Sequence, residues 1–198
     1  MKLKLALSLS ALFFAGTLFA APQVGQAAPA FNLTDSKGQS HSLADFAGKT
    51  VVLEWTNHDC PFVVKHYSGN MQGLQKQFGT DDVVWLTVIS SAPGKQGHVT
   101  PAKADELTSS RNATPDAVLF DETGVTGKAY DAKTTPHMYV IDKKGVLQYM
   151  GGIDSIPSAK VDDIAKATPY FSDALTAVLA GNPANPAVTK PYGCSIKY

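Results

Sequence analysis

The chain has 198 residues and a formal net charge of zero, with 17 Lys and Arg against 17 Asp and Glu. That length fits one ordinary domain, its 44% apolar content can build a core, and its 17% charged content is too low for a disordered chain. Neutrality, with Arg111 the only arginine, argues against nucleic-acid recognition, and two cysteines exclude both a disulfide-dense scaffold and a four-thiolate zinc site.

Residues 1–20, MKLKLALSLSALFFAGTLFA, place two lysines before an apolar run and small residues at its end. This is the layout of a secretory signal peptide cut after Ala20 or Ala21, and the run is short for a membrane span. The mature protein is therefore expected in a periplasm or secreted, with no stable membrane insertion, where a disulfide persists. Phe31–Thr34 and Ser40–Leu43 flank a turn and suggest a hairpin. Val51–Thr56 reads as a buried strand, and Pro61–Phe78 has helical apolar spacing with proline at its first position. Val83–Ile89 is the strongest strand signal; a Gly/Ser/Pro loop and a polar helix over Pro101–Arg111 follow. Ala117–Phe120 reads as a strand, Val125–Tyr130 as a helical turn, and Met138–Asp142 with Val146–Gly151 as a hairpin. A last helix is expected over Ser158–Leu179, bent at Pro169, before a Gly/Asn/Pro linker and a tail over residues 183–198. This order implies one α/β domain over residues 21–182, with a mixed sheet covered on both faces.

Cys60 lies between a buried strand and a proline-started helix. A thiolate there meets the positive end of a helix dipole and backbone N–H groups, which favour ionisation and nucleophilic attack. A buried structural cysteine is the alternative.

The segment VVLEWTNHDCPFVVK, residues 51–65, resembles the active-site stretch of the thioredoxin-like superfamily, and more narrowly its redoxin branch of peroxiredoxins and exported thiol–disulfide oxidoreductases. VGQAAPAFNL (24–33) and LADFAGK (43–49) are similar to that branch's opening hairpin, and Thr135-Pro136 before Met138–Asp142 resembles its cis-proline loop. The resemblance covers roughly residues 23–180. It implies a thioredoxin-like fold with an N-terminal β-hairpin, Cys60 as nucleophile, and a substrate groove shaped by cis Pro136 and Thr135. Two departures matter. Val63 stands where a thioredoxin has its second cysteine, which excludes dithiol exchange within this loop. Asn57 and Leu53 replace the threonine and proline of a peroxiredoxin, which argues against efficient peroxide chemistry unless Asn57 or Thr56 donates a hydrogen bond to the reacting centre.

Cys194 follows a breaker-rich linker, on a segment expected to be mobile and, in the reduced state, held away from Cys60. Pairing with Cys60 as resolving thiol is the favoured reading; an intermolecular bond, a permanent staple and an orphan thiol are the others. His58, His66 and His137 could approach the thiol, with His58 the support candidate two residues before it. Each also reads as a surface or packing residue, and no metal or other cofactor is expected. The expected function is an exported thiol oxidoreductase whose Cys60 attacks a disulfide or peroxide and whose Cys194 resolves, with an external dithiol as reductant. Its partner is a thiol or disulfide protein, or a peroxide. The alternatives are a peroxiredoxin-like hydroperoxide reductase and a non-catalytic module holding a metal or a client peptide.

Overall fold

A computed structural model describes residues 21–198, so the segment read as an export signal lies outside the described residues. The β-branched run Thr50–Trp55 forms β3, buried at every position, as is β4 over Val83–Ile89. These two pair in parallel, joined through helices α1 (Pro61–His66) and α2 (Asn70–Phe78). Strand β5 (Ala117–Phe120) adds in parallel to β4 after helix α3 (Pro101–Ser110), and helix α4 (Val125–Ala129) follows. Strands β7 (His137–Ile141) and β8 (Leu147–Gly151) extend the other side of β3 antiparallel, and helix α5 (Tyr170–Leu179) packs across them. At the far edge β1 (Asn32–Asp35) pairs with β5 and forms an antiparallel hairpin with β2 (Ser40–Ser42). The seven-stranded order is therefore β2-β1-β5-β4-β3-β7-β8.

Alternation along β3 divides the core between two faces. Val52 joins Trp85, Met71, Phe78, Phe171 and Leu175 under α2 and α5. Val51, Leu53 and Trp55 face Leu86, Leu119, Tyr130 and Tyr139 on the other side.

Two helix expectations are corrected. The stretch Pro61–Phe78 is two helices, because Gly69 takes φ +137 between them, a value only glycine adopts readily. The break turns Tyr67 inward, where its hydroxyl donates to Glu54 at 2.8 Å. The stretch Ser158–Leu179 is a 3-10 helix over Val161–Lys166 followed by α5, which starts immediately after Pro169.

Glu54, fully buried, is held by Tyr67 and, at 2.9 Å, by the Trp85 indole N–H. Burial raises its pKa from 4.5 to about 7, against the pull of those donors and of the Arg111 charge. A carboxyl whose folded pKa is raised stabilises the fold fully below its unfolded pKa, and that stability is lost as pH climbs through about 7. Glu54→Gln is therefore expected to flatten the pH dependence of denaturant midpoints between pH 5 and 8. The native protein should lose on the order of 3 kcal/mol more than the variant over that range.

Candidate active site around Cys60 and the tail

Cys60 is the residue immediately before α1, where Pro61 occupies the first helical turn. Its own N–H donates to the Asn57 carbonyl at 3.0 Å, and its carbonyl accepts from the Val64 N–H at 2.9 Å, which fixes the backbone of the turn. The sulfur is fully buried, with both cysteines as free thiols. In the thiol form Sγ–H donates to the Thr135 carbonyl at 3.1 Å. The Thr135–Pro136 bond is cis, as the resemblance implied, and Thr134–Thr135 forms the short strand β6.

What covers the sulfur is the tail, and here the structure overturns the expected separation of the two cysteines. Residues 187–198 form a strap across the active face. It starts beside β8, where Met150 N–H donates to Ala187 O at 3.1 Å and the Thr189 hydroxyl lies 2.6 Å from the Tyr149 hydroxyl. Further on, Cys194–Ser195 forms β9 and pairs antiparallel with β6, Cys194 opposite Thr135. Gly193 makes this approach possible: its φ is +140, and a Cβ there would run into the Thr135 carbonyl. The Cys194 N–H consequently points at Cys60 Sγ, 3.4 Å away. Beyond β9, Ile196 N–H donates to Lys133 O at 3.1 Å, and the Tyr198 hydroxyl to Ala132 O at 2.8 Å.

Tyr192 anchors the strap on the other side of Cys194. Its hydroxyl donates to Asp154 Oδ1 at 2.5 Å and lies 3.0 Å from His66 Nε2 and 3.3 Å from Lys65 Nζ. Lys65 also reaches Asp154 Oδ2 and the Ile156 carbonyl, each at 3.3 Å, with its side chain fully buried. Burial lowers the His66 pKa to about 4, against the pull of Asp154, so its ring is neutral. Its Nδ1 then accepts from the Asn70 amide, and Nε2–H donates to Tyr192.

Electrostatics separate the two thiols. Burial pushes the Cys60 pKa up, but hydrogen bonds from the Cys194 thiol, the Val63 and Cys194 N–H groups and Thr135 outweigh it, leaving the pKa below the usual thiol value. Cys194 is pushed up to about 11 by burial, by the hydrogen bond to Cys60 and by the charge that Cys60 carries when ionised. Cys60 is thus the better thiolate and Cys194 the proton donor to it. Alkylation rates against pH are expected to report a lower pKa for Cys60 than for Cys194. Cys194→Ala should raise the Cys60 value and Cys194→Ser, which keeps a donor, should raise it less. An unchanged Cys60 profile in both variants would remove the tail as the source of the shift.

Of the residues singled out from sequence, Cys60, Thr135, Pro136 and Cys194 meet at one point. Asn57 and Thr56 do not join them. The Asn57 side chain accepts from the Asp59 N–H at 3.0 Å and approaches Gln96, while the Thr56 hydroxyl is buried without a bond to the sulfur. His58 pairs with Asp59 at 3.2 Å. His137 is buried against Tyr139, its pKa lowered to about 3, and sits two residues beyond Thr135 without bonding to the sulfur. Sequence reasoning missed Tyr192, Asp154 and Lys65. A tyrosine two residues before a tail cysteine was the one available hint, because nothing local marks a lysine as buried.

Residues 24–150 match the AhpC/TSA family. The chain is 30% identical over 128 residues to the thioredoxin-like protein YneN of Bacillus subtilis (strain 168), covering 64% of this chain and 69% of that one. It is 28% identical over 152 residues to the chloroplastic peroxiredoxin Q of Populus jackii, covering 76% and 70%. The crystal structure of an uncharacterized conserved protein from Geobacillus kaustophilus superposes with a TM-score of 0.73 at 26% identity, over 92% of this chain and 94% of that one.

Proposed function

The chain belongs to the AhpC/TSA family and has a thioredoxin-like fold, and we propose that it is an exported thiol–disulfide oxidoreductase whose second redox cysteine is delivered by its C-terminal strap. The observation that carries this reading is the approach of the Cys194 N–H to within 3.4 Å of Cys60 Sγ. The Cys60 thiolate attacks a substrate disulfide, forming Cys60–S–S–R and releasing the other half as thiolate. Cys194 passes its proton to that leaving group and attacks Cys60 Sγ. The Cys60–Cys194 disulfide forms and the second substrate thiolate departs, so two electrons have moved to the substrate. An external dithiol restores both thiols. Because Cys60 is fully covered, a protein substrate meets it only with the strap lifted.

Disulfide exchange is favoured over peroxide reduction because the Asn57 amide is turned to Asp59 and Gln96 and the Thr56 hydroxyl makes no bond to the sulfur, which leaves it without those donors for a peroxide oxygen. Export rests on the apolar N-terminal run, and among the described residues no helix is long and apolar enough to cross a membrane. Stoichiometric glutathione disulfide should produce the Cys60–Cys194 bond in the native protein, read by peptide mass mapping. Cys194→Ser should instead accumulate a glutathione adduct on Cys60. An adduct that turns over at the native rate without Cys194 refutes the resolving role. A hydrogen peroxide rate far above the disulfide rate refutes the substrate class.

A further inference from the structure

Cys194 meets Cys60 from a strand that is seated as a foreign disulfide partner has to be. Strand β9 lies antiparallel on β6 with Cys194 opposite Thr135 and its N–H 3.4 Å from Cys60 Sγ. Among the described residues β9 is the one strand that pairs with β6, and a strand edge holds one chain at a time. A partner that brings a cysteine to this sulfur along β6 therefore takes the place of the strap. The residue two before its cysteine then falls where Tyr192 lies.

Three buried side chains meet at the Tyr192 hydroxyl. Asp154 Oδ1 accepts from it, and His66 Nε2–H and Lys65 Nζ donate to it. One bond given and two received fill the capacity of a phenol oxygen. Around the ring, Phe62 packs edge-on with centroids 5.7 Å apart, and Lys65 Nζ stands 5.4 Å from the ring centroid. The bonds that hold this socket together do not pass through the strap. Lys65 is tied to Asp154 and to the Ile156 carbonyl, Asp154 to the Ile156 N–H, and His66 to Asn70. With the strap lifted the socket stays formed, and its floor presents one acceptor and two donors with no hydroxyl between them. Alongside the strap runs a groove of about 620 Å³, lined by Ser155, Pro157 and Tyr170 as well as by Tyr192 and Gly193. It gives an incoming chain room beside the socket.

We infer that this socket selects the disulfide partner by taking a tyrosine two residues before the partner's reactive cysteine, so that Tyr192-Gly193-Cys194 is an internal copy of the sequence it reads. This specificity presupposes the thiol–disulfide reading of Cys60. A phenylalanine at that place fills the ring space but leaves Asp154, His66 and Lys65 facing an apolar edge, and a site built to bond a hydroxyl rejects the analogue that lacks it. Capture forms the bond between Cys60 Sγ and the partner sulfur, and the other half of the partner disulfide leaves with the Cys194 proton. The strap then returns, Tyr192 displaces the partner's tyrosine, and Cys194 attacks Cys60 Sγ. The Cys60–Cys194 bond forms as the Cys60–partner bond breaks, and the partner departs as its thiolate.

The experiment uses the reduced full chain and the symmetric disulfides of three peptides, acetyl-Xaa-Gly-Cys-Ser amide with Tyr, Phe or Ala as Xaa, with glutathione disulfide as reference. The second-order rate of Cys60–Cys194 bond formation is read by acid quench and mass analysis. Each rate is divided by that of the same disulfide with free dithiothreitol. The tyrosine peptide is expected to exceed the phenylalanine peptide at least about tenfold, with alanine slower still. In Lys65→Met/Asp154→Ala, which strips the socket of an acceptor and a donor, the tyrosine and phenylalanine rates should converge. Equal rates for the two peptides in the native protein, while glutathione disulfide reacts, overturn the socket and leave the thiol–disulfide reading standing. So does a full tyrosine preference in the folded double variant. No reaction with any of the disulfides overturns both. The native comparison decides the matter even where the double variant fails to fold.

Discussion

Gly193→Ala is expected to slow formation of the Cys60–Cys194 disulfide by about a hundredfold or more, while barely changing the stability of the sheet. Gly193 sits at φ +140 with its α-carbon against the Thr135 carbonyl, so a methyl group there meets backbone on a rigid strand pair. Neither backbone strain nor the clash can be relieved without unpairing β9 from β6. Once unpaired, Cys194 becomes a thiol on a flexible tether, with an effective concentration in the millimolar range rather than that of an oriented neighbour. Gly181→Ala is the matched control: its φ is +79 and a Cβ there would meet nothing within 4 Å. It should show strain without loss of rate. Quenched-flow oxidation by diamide, with mass analysis of the trapped species, measures both variants. A native rate in Gly193→Ala would mean that the docked strap is not the reacting conformation.

Removing Asp154 should have the largest effect on stability. Asp154→Ala leaves Lys65 with a fully buried side chain and no counter-charge, and breaking a buried ion pair from one side costs about 3–5 kcal/mol. For a chain of this size that corresponds to a Tm lower by about 10 °C. The same change removes the acceptor of the Tyr192 hydroxyl, so the strap should loosen as the fold weakens. Lys65→Met in the Asp154→Ala background removes the stranded charge and should recover most of the loss. Urea midpoints of the two single variants and the double variant test this. A cost below about 1 kcal/mol for Asp154→Ala would mean that Lys65 escapes to solvent.

The strands were legible in the sequence because their signals are local. Thr50–Trp55 and Val83–Ile89 are β-branched, apolar and bounded by turns, and the structure pairs them as a parallel core. The placement of Cys60 was legible for a similar reason: Pro61 announces a strand-to-helix turn, and Cys60 stands directly before α1. Local pattern failed at residues 61–78, where one glycine conformation at position 69 outweighs a helical run of apolar residues. It failed more deeply at the tail. A stretch rich in Pro, Gly and Asn looks like a solvated linker, yet it is held by tertiary contacts at Thr189, Tyr192, Ile196 and Tyr198, which no window of neighbouring residues contains. Lys65, Asp154 and Tyr192 were invisible for the same reason, being 89 and 127 positions apart in their pairings with Lys65.

That separation also fixes an order of events during biosynthesis. The residue that shields Cys60 follows it by 134 positions. In a chain made N-terminus first, at about 5–20 residues per second, Cys60 is present for roughly 7–27 s before Cys194 exists. For that interval the nascent chain carries the Cys60 thiol uncovered and with no internal partner. On the proposed mechanism, a disulfide captured by Cys60 in that interval stays as an adduct until the strap arrives.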